Sequence, residues 1–167
     1  MSYHDLRVLR APFNPAAIGL PEFLLDQCRR QAAARMTGAA RPLDDAMQAL
    51  LALAPPDAAF ALFGALHDLV ARMTAAADRP LHWYPATCRC LSADEEQLRN
   101  LLGHVWNSRI ACANEAALEL CGPAGATLAP TLHELAAILD RFAGVLAAGA
   151  PLPAPDAALT LLAGAAA

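Results

Sequence analysis

At 167 residues the chain has the length of one domain with a core of its own. Its hydrophobic content is 57% with only 5% aromatics, so the core must come from Leu, Ala, Val and Met, which favours helices. The net charge is −4 and the 12 basic residues, all Arg, form no run, which argues against a nucleic-acid-binding protein.

The N-terminal stretch "MSYHDLRVLRAPFNP" is polar and lacks the apolar segment of a secretory signal. No uninterrupted apolar run has the length of a bilayer span. A soluble cytoplasmic protein is expected, and the many Ala and Pro residues, with Arg in place of Lys throughout, fit a GC-rich bacterial genome. Five cysteines are an odd number for a disulfide framework. Cys28, Cys112 and Cys121 fall within helical patterns and read as small buried residues.

Residues 1–15 read as an extended arm. A first helix is predicted from Pro21 to Gly38, with Leu24, Leu25, Cys28, Ala32 and Met36 inward. A second runs from Pro42 to about Ala54. Asp57 is positioned to cap a third, which reaches about Ala77 and buries Phe63, Leu66, Leu69, Val70 and Met73. The loop "DRPLHWYPATCRCL" follows. Ser92 and Glu95 then make a capping box, the strongest local signal in the chain. It opens a long helix predicted to run to Cys121, closed by Gly122 and Pro123. "TLHE" at Thr131 is a second capping box, opening a helix that ends near Gly149. Residues 150–167 read as a short C-terminal helix or tail. No segment alternates with the period of a strand. The predicted fold is all-α, a single-domain bundle of four main helices with one or two short ones.

Two places invite a functional reading. In "HWYPATCRC", Cys88 and Cys90 precede a helix N-terminus, whose partial charge favours thiolates, and Arg89 adds to it. With His82 they could supply three ligands to zinc, or the thiols could cycle through a disulfide. The competing role is packing, with Trp83, Tyr84 and Leu91 closing the loop and the sulfurs filling gaps. We adopt packing, which predicts shielded thiols and no zinc.

The second place is the predicted long helix. Asn100, His104, Asn107 and Asn114 share one face at helical spacing. A neutral stripe of amides and imidazole suits a polar pocket or a partner chain. Arg109 falls on the opposite, apolar face, where a guanidinium needs a carboxylate; Asp68 and Asp45 are the first candidates.

No P-loop, His-Glu-x-x-His, Glu-x-x-His, Gly-x-Gly-x-x-Gly or Gly-x-Ser-x-Gly pattern is present, and no catalytic constellation is legible. The expected function is a small helical binding or accessory module that contacts a partner protein or a small ligand. Its ligand or partner residues would be Asn100, His104, Asn107, Arg109 and Asn114. A homodimer through the uncharged stripe is expected, with no nucleic acid or membrane partner. The alternative is a metal-binding or thiol-redox protein centred on His82, Cys88 and Cys90.

Overall fold

The computed structural model describes residues 19–86 and 88–147. The predicted N-terminal arm and C-terminal tail lie outside them. The described residues form a single all-α bundle with no strand: α1 (Leu20–Thr37), α2 (Arg41–Leu51), α3 (Pro56–Ala76), α4 (Ala93–Trp106), α5 (Ile110–Cys121) and α6 (Ala129–Ala147). A 3-10 segment, Gly122–Leu128, joins α5 to α6.

One core unites the helices. Leu24 from α1, Leu50 from α2, Leu66, Leu69 and Met73 from α3, Leu98 and Leu102 from α4, and Phe142 from α6 are all sealed from solvent. Each large apolar side chain so buried contributes roughly 1.5–3 kcal/mol. Met36, expected inward, is exposed at the end of α1, and Phe63 is only half-buried. The third helix is also long and apolar enough to cross a membrane by length and composition alone, a property the sequence reading did not assign to it.

The main correction concerns the predicted long helix, which is two. Ser108 N–H donates to Val105 O at 3.0 Å and Arg109 N–H to His104 O at 2.8 Å. This paired closure ends α4, with Ser108 in the left-handed region at φ 55°. Glycine normally holds that position, so a serine there gives little warning in the sequence. The break separates residues that one straight helix would have aligned.

Smaller corrections follow from the other helix starts. Pro55, not Asp57, occupies the N-cap of α3, and Asp57 lies in its first turn. There its charge still favours the positive helix end. The second predicted capping box does not form, because α6 continues directly from the 3-10 segment and Thr131 is buried in its first turn. Gly125 allows that segment to lie on α5: a Cβ there would stand 2.2 Å from Ala117 O.

Candidate functional site

The loop before α4 is organised by two buried carboxylates. The capping box forms as predicted, with Glu95 N–H donating to Ser92 Oγ at 3.1 Å and Ser92 N–H to Glu95 Oε2 at 2.8 Å. Ser92 Oγ also donates to His82 O at 2.6 Å, tying the cap to the loop. Glu95 Oε1 accepts Tyr84 N–H at 2.8 Å, and Asp94 accepts His82 N–H at 2.8 Å and an Arg79 N–H at 2.9 Å.

Arg29, from α1, completes this joint. Its guanidinium donates to both Glu95 oxygens, at 2.7 and 2.9 Å, and to the carbonyls of Cys88 and Cys90, at 2.7 and 2.6 Å. Arg29 is 6% exposed and Glu95 1%. Burial raises the Glu95 carboxyl, but the bonds from Arg29, Ser92 and Tyr84 outweigh it and hold the group below its ordinary range. Hydrogen bonding by Arg79 holds Asp94 low as well.

The stretch "HWYPATCRC" is thus anchored through its backbone, with the Cys88 and Cys90 carbonyls as the anchored groups. His82, Cys88 and Cys90 do not assemble into a metal set, and no cluster of three or more His, Cys, Asp or Glu suited to a metal occurs among the described residues. His82 is exposed, its ring beside Tyr84 at 5.2 Å. Cys88 Sγ accepts Cys90 N–H at 3.3 Å. Hydrogen bonding to Cys88 pushes the Cys90 thiol up, opposite to the activation expected from the helix N-terminus. The expected shielding fails at Cys90, which is exposed, as is Leu91, one of the residues expected to close the loop. The space beneath the loop, bordered by Met73, Trp83, Glu95 and Leu98, has no room for a water-sized molecule.

The predicted neutral stripe is divided by the break. Asn100 and His104 stay on one face of α4 and, with Gln97, form one wall of an open cleft of about 230 Å³. Cys112, Glu115, Ala116 and Glu119 of α5 form the other wall. Asn107 caps α4 with its amide on Gly103 O at 2.7 Å. Asn114 is not part of the cleft lining, and its Oδ1 is buried without a partner.

Arg109 is the clearest misplacement. It sits exposed at the N-cap of α5, outside the apolar face, and makes no ion pair among the described residues. Asp68 instead bonds Arg72 at 2.6 Å, and Asp45 lies 3.8 Å from Arg30. The buried arginine is Arg29, which follows Leu25 by four residues on the apolar stripe of α1. That spacing was its signal in the sequence. Glu115 and Glu119 were also missed; they come opposite Asn100 and His104 only because the chain turns at Ser108.

A second polar crosslink joins α1 to α3. Gln31 donates to Phe63 O at 3.2 Å, and His67 Nδ1 meets Gln31 Oε1 at 2.8 Å. Because the Gln31 amide nitrogen is committed to a carbonyl, its oxygen faces His67, which fixes the proton on Nδ1.

Compared with known proteins, the chain matches no family model, no curated protein and no solved structure.

Proposed function

We propose that this protein is a small helical binding module whose contact site is the cleft between α4 and α5. One observation carries the reading. Among the described residues, the side chains of Gln97, Asn100, His104, Glu115 and Glu119 make no hydrogen bond or ion pair with the rest of the chain, although they line a shared concavity. The polar residues of the Arg29–Glu95 joint, by contrast, are bonded to one another.

The lining suggests the chemistry of the occupant. Two carboxylates one helical turn apart favour a cation, and the amides and imidazole offer further donors and acceptors around it. A planar guanidinium or a primary amine fits this set, whether carried by a small ligand or by an exposed side chain of a partner protein. No catalytic constellation accompanies the cleft, so the reading is of binding without turnover.

Cys112 lines the cleft and reports on its occupancy. Agmatine should slow alkylation of Cys112 several-fold, followed by peptide mass spectrometry, and leave exposed Cys90 unaffected. Glu119→Gln should abolish that protection. Equal alkylation rates with and without agmatine, arginine amide and simple diamines would refute the cation-binding reading.

A further inference from the structure

We propose that Cys88 and Cys90 form a redox-sensitive latch: oxidation joins their sulfurs in a disulfide and releases the loop from Arg29. This is independent of the cleft between α4 and α5, which is lined by neither residue. The two sulfurs are already in contact. Cys90 N–H donates to Cys88 Sγ at 3.3 Å, and the Cys90 thiol is itself hydrogen-bonded to Cys88. From that contact, side-chain rotation and a small backbone shift close an S–S bond of about 2.05 Å. Both sulfurs are reachable, since Cys90 is exposed and Cys88 only half-buried. Cys28 and Cys121 are sealed in the core, and burial pushes the Cys28 thiol up to about 12. Cys112 faces the cleft.

The oxidant is a peroxide. One of the two thiols loses its proton, and its sulfur takes an oxygen from hydrogen peroxide to become a sulfenic acid, releasing hydroxide. The other sulfur attacks that sulfenic sulfur; the S–S bond forms, the S–O bond breaks and water leaves. The proton lost in the first step neutralises the hydroxide. Two thiols and one peroxide thus give one disulfide and two waters, and a dithiol returns the pair to its reduced state.

The consequence is set by the backbone of the same residues. In the reduced chain Arg29 donates to Cys88 O at 2.7 Å and to Cys90 O at 2.6 Å. The disulfide closes a small ring that passes through the Cys88 carbonyl carbon and the Cys90 nitrogen. It also takes the Cys88 lone pairs from Cys90 N–H. So short a ring is strained, and it relaxes by turning peptide planes that the guanidinium now orients. Glu95 keeps Arg29 through its own bonds at 2.7 and 2.9 Å. The loop therefore detaches while the ion pair between α1 and α4 stays. The coupling is reciprocal: by holding both carbonyls, Arg29 favours the reduced pair.

Peroxide treatment of the full chain, followed by peptide mass spectrometry and thermal melting, tests this. Trypsin cuts after Arg89, so in the oxidised protein the Cys88 and Cys90 peptides should stay joined until dithiothreitol is added. The oxidised chain should melt several degrees below the reduced one and exchange its Cys88 and Cys90 amides faster, and dithiothreitol should reverse both changes. The double variant Cys88→Ser, Cys90→Ser should lose the peroxide effect on melting. Arg29→Lys keeps a charge for Glu95 but lacks the fork that holds two carbonyls. It should move half-oxidation in glutathione buffers several-fold toward reducing conditions. Oxidation at Cys112 with Cys88 and Cys90 left as thiols would overturn the proposal. So would a joined pair that melts like the reduced chain, a melting loss that persists in the double variant, or a glutathione midpoint that Arg29→Lys leaves in place.

Discussion

The two ends of the α4 neighbourhood use polar residues in opposite ways. At its N-terminus, Arg29, Ser92, Asp94 and Glu95 are buried and bonded to one another or to the loop backbone. Along its outer face, Gln97, Asn100 and His104 look across at Glu115 and Glu119 without bonding to them. A buried polar group that lacks a partner costs about 1–3 kcal/mol, so the first set must be internally complete for the fold to stand. A solvated group bears no such cost, so the second set need not be. Removing residues from the first set should therefore damage the fold, and removing them from the second should damage only recognition.

The largest expected effect is at Arg29. Arg29→Met should destabilise by roughly 3–5 kcal/mol in urea unfolding, because it leaves the buried Glu95 carboxylate without its counter-charge, held only by the Ser92 and Tyr84 N–H groups, and takes the guanidinium from the Cys88 and Cys90 carbonyls. Adding Glu95→Leu should recover part of that loss, since the remaining charge is removed with its partner. If Arg29→Met melts like the parent, the joint is not what holds the loop to α1.

Acid should expose the same difference. Glu95 and Asp94 have carboxyls held below their ordinary range in the folded chain. The stability they contribute is complete above the unfolded values of about 4 and is lost as pH falls through the lower, folded ones. Melting temperature should drop steeply below about pH 4, and the drop should be shallower in Glu95→Gln, which has no proton to take up there. Parallel profiles would show that Glu95 titrates normally.

Ser92→Ala is the smallest expected change. Losing the cap acceptor costs about 1 kcal/mol, and the bond to His82 O goes with it. The melting shift should be accompanied by faster amide exchange at Glu95 and at Cys88. Exchange that quickens at Glu95 alone would separate the cap from the loop.

What the sequence revealed, and what it hid, follows the range of the interactions. The helical class, the apolar stripes and the Ser92–Glu95 box are local patterns, and each could be read from a few neighbouring residues. The break at Ser108 is local too, but it lacks the usual glycine or proline, so the strong helix formers on both sides concealed it. That single turn removed Arg109 from the apolar face, separated Asn114 from Asn100, and brought Glu115 and Glu119 opposite His104. The Arg29–Glu95 pair spans 66 residues and no local pattern encodes it. The physical argument made for Arg109, that an arginine on an apolar stripe needs a carboxylate, was sound and holds at Arg29. Its setting after Leu25 and beside Cys28 was available evidence for the right position. The thiols of Cys88 and Cys90 drew attention because sulfur carries chemistry, whereas the structure anchors the carbonyls of the same residues, a role independent of side-chain identity.

The central contrast is tested most directly by making the same chemical change in both regions and measuring equilibrium unfolding in urea at pH 7. Glu95→Gln and Glu119→Gln each replace a carboxylate by an amide of nearly equal size. Glu95→Gln should lower the unfolding free energy by roughly 3 kcal/mol, because it breaks a buried ion pair and turns an acceptor into a donor facing N–H groups. Glu119→Gln should stay within about 0.5 kcal/mol of the parent. Equal losses at the two positions, or a larger loss at Glu119, would contradict the division of this bundle into a structural joint and an open binding cleft.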